Sequence, residues 1–269
     1  MPKRIDPAGF FSYNIHMRTV DVRVIGISRI LAAILAALMT CLLLNTGFAR
    51  AEADKSEPYP LLTLVNKWHP LPDGYEPDLV SIGDGHKIDS RAVGDFKQMM
   101  ADCRAAGLRP VVRSSYRTQK KQIALYENKV KRLRKTGLCP VYARIEAATV
   151  VAYPGTSEHQ LGLALDIVDK SYQDLETDQE NTPVQKWLMQ NSWRYGFILR
   201  YPTGKSDITG IIYEPWHYRY VGRGVAADVY ASGLCFEEYV EKYISSDARA
   251  VPLDITPVRH VYAPFVSRF

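Results

Sequence analysis

Two short blocks constrain this chain more than any other part of it: Ser157-Glu158-His159-Gln160-Leu161-Gly162-Leu163-Ala164-Leu165-Asp166 and, well downstream, Glu214-Pro215-Trp216-His217. They supply two imidazoles, His159 and His217, and two carboxylates, Asp166 and Glu214. A catalytic zinc site takes three protein ligands and keeps its fourth position open, where a water is acidified to a pKa of about 7. His159, Asp166 and His217 have the donor chemistry for such a set, which leaves Glu214 over to act as a base. Any fold this chain adopts must therefore bring the two blocks together. A histidine without such company is more often a hydrogen-bonded structural or surface residue than a ligand, and His16, His69, His86 and His260 stay in that class.

The segments around the blocks read as short helices and strands. Asp89 or Ser90 can cap a helix that runs to about Ala106 and stops at Gly107. Within it Val93, Phe96, Met99, Met100 and Cys103 recur at helical spacing, which marks a core face. Pro110–Arg113 is a short strand leading into a turn at Ser114–Arg117, and helices follow from near Thr118 to Gly137 and between Pro140 and Ala152. Leu163–Val168 reads as a largely buried strand that points Asp166 to the same face as Ala164 and Val168. Thr182-Pro183 opens a capped helix that ends near Tyr195.

Phe197–Tyr201 and Ile211–Tyr220 look like two strands of a hairpin, with a polar stretch between them. A regular strand would put Glu214 and His217 on opposite faces, so the chain must bend or bulge near Pro215 for both to reach one metal. A last helix lies near Phe236–Tyr243. The expected class is α+β, with a small central antiparallel sheet flanked by helices.

Ahead of all this, Lys3, Arg4, Arg18, Arg23 and Arg29 precede an apolar run from Ile30 to Leu44, and Ala49-Arg50-Ala51 offers small residues at a cleavage spacing. That is the layout of a secretory signal peptide. If Val24–Ile27 lengthen the run toward the ~20 residues that span a bilayer, the segment acts instead as an uncleaved anchor. The expected organisation is a leader at 1–51, a polar linker at 52–64, one catalytic domain at 65–245 and a C-terminal tail at 246–269, in a secreted or extracytoplasmic protein. The formal charge of +5 sits mostly in the leader: without its six basic and two acidic residues, 28 basic side chains face 27 acidic ones. A nearly neutral chain offers no broad footprint for nucleic acid. The basic run Lys129–Lys135 reads as the solvated face of a helix rather than a site for an anionic wall polymer. Outside the cytoplasm one pair among Cys103, Cys139 and Cys235 can form a disulfide, and the sequence does not choose among the pairings.

Ser157, His159, Gly162, Ala164 and Asp166 reproduce S-x-H-x-x-G-x-A-x-D, and Glu214, Trp216 and His217 reproduce E-x-W-H. Upstream, Ser114-Ser115-Tyr116-Arg117 with Gln122 fits S-x-Y-R-x-x-x-x-Q. In this order the blocks resemble the zinc D-alanyl-D-alanine carboxypeptidases of the VanY type, within the LAS group of peptidases, over roughly Val65–Tyr243. The resemblance implies the LAS/hedgehog-like zinc peptidase fold, with zinc on His159, Asp166 and His217. It further implies Glu214 as general base toward a metal-activated water, Arg117 against the negative tetrahedral intermediate, and Ser115, Gln122 and Ser157 as substrate-binding residues.

The implied reaction is removal of the terminal D-alanine from peptidoglycan stem peptides, with membrane contact only through an uncleaved anchor. An L,D-carboxypeptidase acting on tetrapeptides would share these zinc motifs. A non-catalytic cell-wall-binding module is the alternative from another class, and the intact Glu214 argues against it. Ser114–Arg117 lacks the Ser-x-x-Lys or Gly-x-Ser-x-Gly frame of a serine hydrolase.

Overall fold

The computed structural model describes residues 60–245. The expected leader, most of the linker and the tail at 246–269 lie outside the described residues. The described chain opens on an antiparallel hairpin of β1 (Leu79–Gly83) and β2 (His86–Asp89), closed by Gly83, Asp84 and Gly85, all three at positive φ. Asp89 then caps the next turn by accepting from the Arg91 amide, and α1 (Val93–Ala105) buries Phe96, Met99, Met100 and Cys103 as its spacing requires.

β3 (Pro110–Ser114) leads through a loop into α2 (Gln119–Lys135), whose N-cap Thr118 accepts from the Lys121 amide. α3 (Pro140–Ala148) starts on its proline and packs on α2 through Ala143 and Ala147 against Tyr126 and Val130. After β4 (Ala164–Asp169) come α4 (Pro183–Asn191), capped by Thr182, then β5 (Phe197–Leu199) and the short α5 (Ser206–Thr209). β6 (His217–Tyr220), α6 (Arg223–Ser232) and α7 (Phe236–Tyr239) follow, and α7 runs on into a π-helical turn at Val240–Ile244.

The central sheet runs β3-β4-β6-β5 with every pair antiparallel, as the α+β reading expected. β4 is buried along its whole length, and its alternation divides the work. Leu165 and Ile167 enter the main core with Met99, Met100, Leu188, Phe197 and Tyr218, where replacing a leucine by alanine costs about 2–5 kcal/mol. Asp166 is thereby directed to the opposite face.

Two expectations need correction. The strand expected over Ile211–Tyr220 begins only at His217, because Pro215 has no N–H to donate to a ladder. Residues 211–216 form a turn instead: the Glu214 amide donates to the Tyr201 carbonyl and the His217 amide to that of Glu214. No bulge is needed, since Glu214 stands before the strand and is free of its alternation. Among the described residues the cysteines form no disulfide: Cys103 and Cys235 are buried, Cys139 is exposed, and these three are thiols.

Candidate metal centre

Register brings the ligands together. Asp166 on β4 is the direct cross-strand partner of His217 on β6, and Ser114 at the end of β3 faces Asp166 from the other side. His159 arrives from a single 3-10 turn, Glu158–Leu161, that ends on Gly162 at φ 75°. A Cβ on Gly162 would lie 3.0 Å from Leu79 Cδ2 and 3.2 Å from the Asp89 amide, so only glycine lets the chain turn from His159 into β4 beneath the β1–β2 hairpin.

The imidazoles present different nitrogens. His159 Nδ1 lies 2.9 Å from the Ser115 carbonyl oxygen, which can only accept. The hydrogen is therefore on Nδ1, and Nε2, 3.3 Å from Asp166 Oδ2, has its lone pair free. His217 turns Nδ1 toward Asp166 Oδ1 at 3.1 Å. The two rings meet edge to face with centroids 4.9 Å apart.

One ligand atom from each of His159, Asp166 and His217 lies within 4.8 Å of the other two, and all three residues are buried. Bonds of about 2.0–2.1 Å to a tetrahedral zinc put ligand atoms about 3.3 Å apart; His217 Nδ1 lies 3.1 Å from Asp166 Oδ1, while His159 Nε2 lies 3.3 Å from the other oxygen, Oδ2. Asp166 Oδ1 is buried without a hydrogen-bond partner among the described residues, so a cation has an acceptor waiting. Two nitrogens and one carboxylate oxygen suit zinc, and the set leaves a coordination position open.

Glu214 is buried beside this cluster, its Oε2 3.7 Å from His217 Nδ1. Burial, reinforced by Asp166, pushes its carboxyl up to about 8. Burial and the Arg117 cation hold His159 down at about 4. For His217 burial opposes charging, but the Asp166 and Glu158 carboxylates outweigh it and raise the imidazole to about 9. Asp166 also resists its burial, held well below the usual carboxylate range by His159, His217 and Arg117. This is a site that stores protons when no cation is present, and a divalent ion would displace them.

Arg117 stands inside the site, but its guanidinium is engaged with a ligand. Nη2 donates to Asp166 Oδ2 at 2.8 Å, Nε to Ser114 Oγ at 2.8 Å and Nη1 to Gln122 Oε1 at 3.5 Å. Gln122 is fully buried and donates to the Ala152 carbonyl, and Ser115 Oγ accepts from the Lys87 amide and sits 3.0 Å from His86 Nδ1. Both therefore have architectural partners. Ser157 is buried at the start of the 3-10 turn, and Trp216 is buried next to His217 in sequence.

Sequence reasoning missed an ion-pair frame behind His217. Glu158 Oε1 accepts from Arg200 Nε at 2.7 Å and Arg219 Nη1 at 2.9 Å, and Arg200 also donates twice to Glu237. Arg219 Nη2 donates to the Leu61 and Thr63 carbonyls. Arg200 and Arg219 are wholly buried, and removing one partner of such a pair costs about 3–5 kcal/mol. The signal available in the sequence was an arginine inside each of two apolar strand-like stretches, Ile198-Leu199-Arg200-Tyr201 and Tyr218-Arg219-Tyr220.

The family model VanY, D-alanyl-D-alanine carboxypeptidase, matches residues 85–223, a span that holds every candidate metal ligand. The chain belongs to the VanY family. It is 44% identical over 179 residues to a D-alanyl-D-alanine carboxypeptidase of Enterococcus faecalis; the match covers 66% of this chain and 65% of that protein's length. Among solved structures, VanYB in complex with D-alanine-D-alanine superposes with a TM-score of 0.63 at 43% identity, covering 68% of this chain and 98% of that one.

A mutant of the vancomycin-resistance D,D-pentapeptidase VanY in complex with Zn(II) gives a TM-score of 0.62 at 43% identity, over 66% of this chain and 98% of that one. The LD-carboxypeptidase LdcB gives 0.59 at 38% identity, over 68% and 86%. This VanY-family chain therefore has the α+β zinc-peptidase fold expected of it.

Proposed function

We propose that this chain is a zinc D,D-carboxypeptidase that removes the terminal D-alanine from peptidoglycan stem peptides in the cell envelope. The observation that carries the reading is the buried His159–Asp166–His217 cluster with Glu214 left over beside it. A bound zinc supplies Lewis acidity, lowering the pKa of water and polarising a carbonyl. Glu214 takes a proton from the attacking water and returns it to the leaving amine, so the C–N bond breaks as a new C–O bond forms. Burial raises its proton affinity in the metal-free protein, and a bound cation would offset that shift, leaving a carboxylate able to accept the water proton.

Arg117 fixes Asp166 through Nη2, and its positive charge beside the reacting carbonyl stabilises the oxyanion as it develops. Ser115 and Gln122 hold the loop walls on which the peptide lies, while Ser157 borders the ligand turn. The similarity to LdcB supports a second reading, an L,D-carboxypeptidase acting on tetrapeptides.

Zinc-loaded protein incubated with muropeptide pentapeptides and tetrapeptides, followed by mass spectrometry, separates the two. D-Alanine released from the pentapeptide alone is the expected result. Cleavage of the tetrapeptide alone establishes the second reading, and cleavage of neither leaves a non-catalytic wall-binding module.

A further inference from the structure

The two metal-binding imidazoles face different supports, and the support of His217 has no assigned role. We propose that Glu158 is a positioning residue that fixes which nitrogen of His217 meets the metal. His217 directs Nδ1 toward Asp166, so ligation through that atom requires its hydrogen to be on Nε2. That N–H would be buried and needs an acceptor. The carboxylate oxygen facing it is Glu158 Oε2, at 3.7 Å.

Neither atom has a hydrogen-bond partner among the described residues, although both are buried. At 3.7 Å the contact is longer than a hydrogen bond, and it stands as one that only the Nε2–H form of His217 can use. Glu158 cannot turn away, because Arg200 Nε and Arg219 Nη1 hold its other oxygen at 2.7 and 2.9 Å and Glu237 anchors Arg200 from behind. His159 shows the complementary arrangement, with a backbone carbonyl at Nδ1 and Nε2 left for the metal. A carboxylate behind a ligating histidine fixes its tautomer and strengthens it as a ligand.

The inference rests on the zinc reading of the site, not on which peptide bond is cut. Its test is Glu158→Gln in the full chain, with zinc affinity measured by chelator competition and the histidine ring nitrogens followed by 15N NMR. With its amide oxygen held by the arginines, the glutamine aims an N–H at His217 Nε2 and disfavours the tautomer the metal needs. Zinc Kd should rise about 10- to 100-fold, the Nε2–H signal of His217 should shift or vanish, and the Nδ1–H signal of His159 should stay in place.

Unchanged affinity, or an unchanged His217 signal, overturns the proposal. If Glu158→Gln does not fold by circular dichroism, zinc-loaded wild type carries the test: His217 must hold its hydrogen on Nε2, and an Nδ1–H signal overturns the proposal. Wild type that binds no zinc would remove the zinc reading and this inference together, whereas equal binding by both proteins removes this inference alone.

Discussion

Ser157–Asp166 and Glu214–His217 each give the centre one histidine and one carboxylate, yet they are held there differently. In the first block the geometry is mostly local: a 3-10 turn, a glycine at positive φ and a buried strand place His159 and Asp166 within a few residues of one another. In the second the geometry is borrowed. His217 stands opposite Asp166 only because β6 pairs with β4, and its outer nitrogen faces an ion-pair frame drawn from Glu158, Arg200, Arg219 and Glu237. A ligand held by local backbone keeps its orientation cheaply, whereas one held by register depends on distant charges staying paired.

The proton content of the two imidazoles sharpens the same contrast. His159 is neutral well below physiological pH, while His217 keeps a proton to about 9 in the metal-free protein.

Loss of either histidine should cost the protein its metal. His159→Ala and His217→Ala should each abolish stoichiometric zinc binding, measured by metal analysis after gel filtration, because a two-ligand remnant does not hold a catalytic zinc. If either variant keeps one zinc per chain, the ligand from that block is misassigned.

Arg117→Lys comes next. Lysine keeps a charge but cannot donate to Asp166, Ser114 and Gln122 at once, so kcat should fall by about 10²–10³ with a much smaller change in KM. Steady-state kinetics at saturating zinc check this. An effect confined to KM would assign Arg117 to substrate binding in the ground state.

The pH dependence of zinc binding is the effect most specific to the two imidazoles. Zinc must displace the proton that His217 holds, and it draws Glu214 down from about 8, so affinity should tighten as pH rises from 6 toward 8. The expected slope is about tenfold per pH unit for each proton released. His159, already neutral there, contributes nothing to it. Calorimetry in two buffers of different ionisation enthalpy reads the released protons directly, and a flat profile would contradict the assignment of that proton to His217.

How much of this was legible beforehand follows the same division. The caps at Asp89, Thr118 and Thr182, the core stripe on α1 and the inward face of β4 all come from local periodicity and turn chemistry. The β1–β2 hairpin has a readable turn in Gly83-Asp84-Gly85, whereas Gly224 near the start of α6 weakens the helical signal there.

The late start of β6 was only half readable. Pro215 signalled a break, but whether the chain bulges or turns is set by what Tyr201 and Thr149 offer as acceptors to residues 212–214. The Glu158 frame was not legible as such. A glutamate and an arginine 42 or 61 residues apart look like separate surface charges until pairing of β4, β5 and β6 buries them together.

Three of these residues are expected to bind zinc, and the fourth, Glu214, to move protons without binding it. Glu214→Gln tests this most directly, with zinc content and turnover of a D-Ala-D-Ala-terminated pentapeptide measured on the same preparation. The variant should retain one zinc per chain while turnover falls by about 10²–10⁴. Loss of the zinc would make Glu214 a ligand, and wild-type turnover with the zinc in place would show that the proton travels by another group.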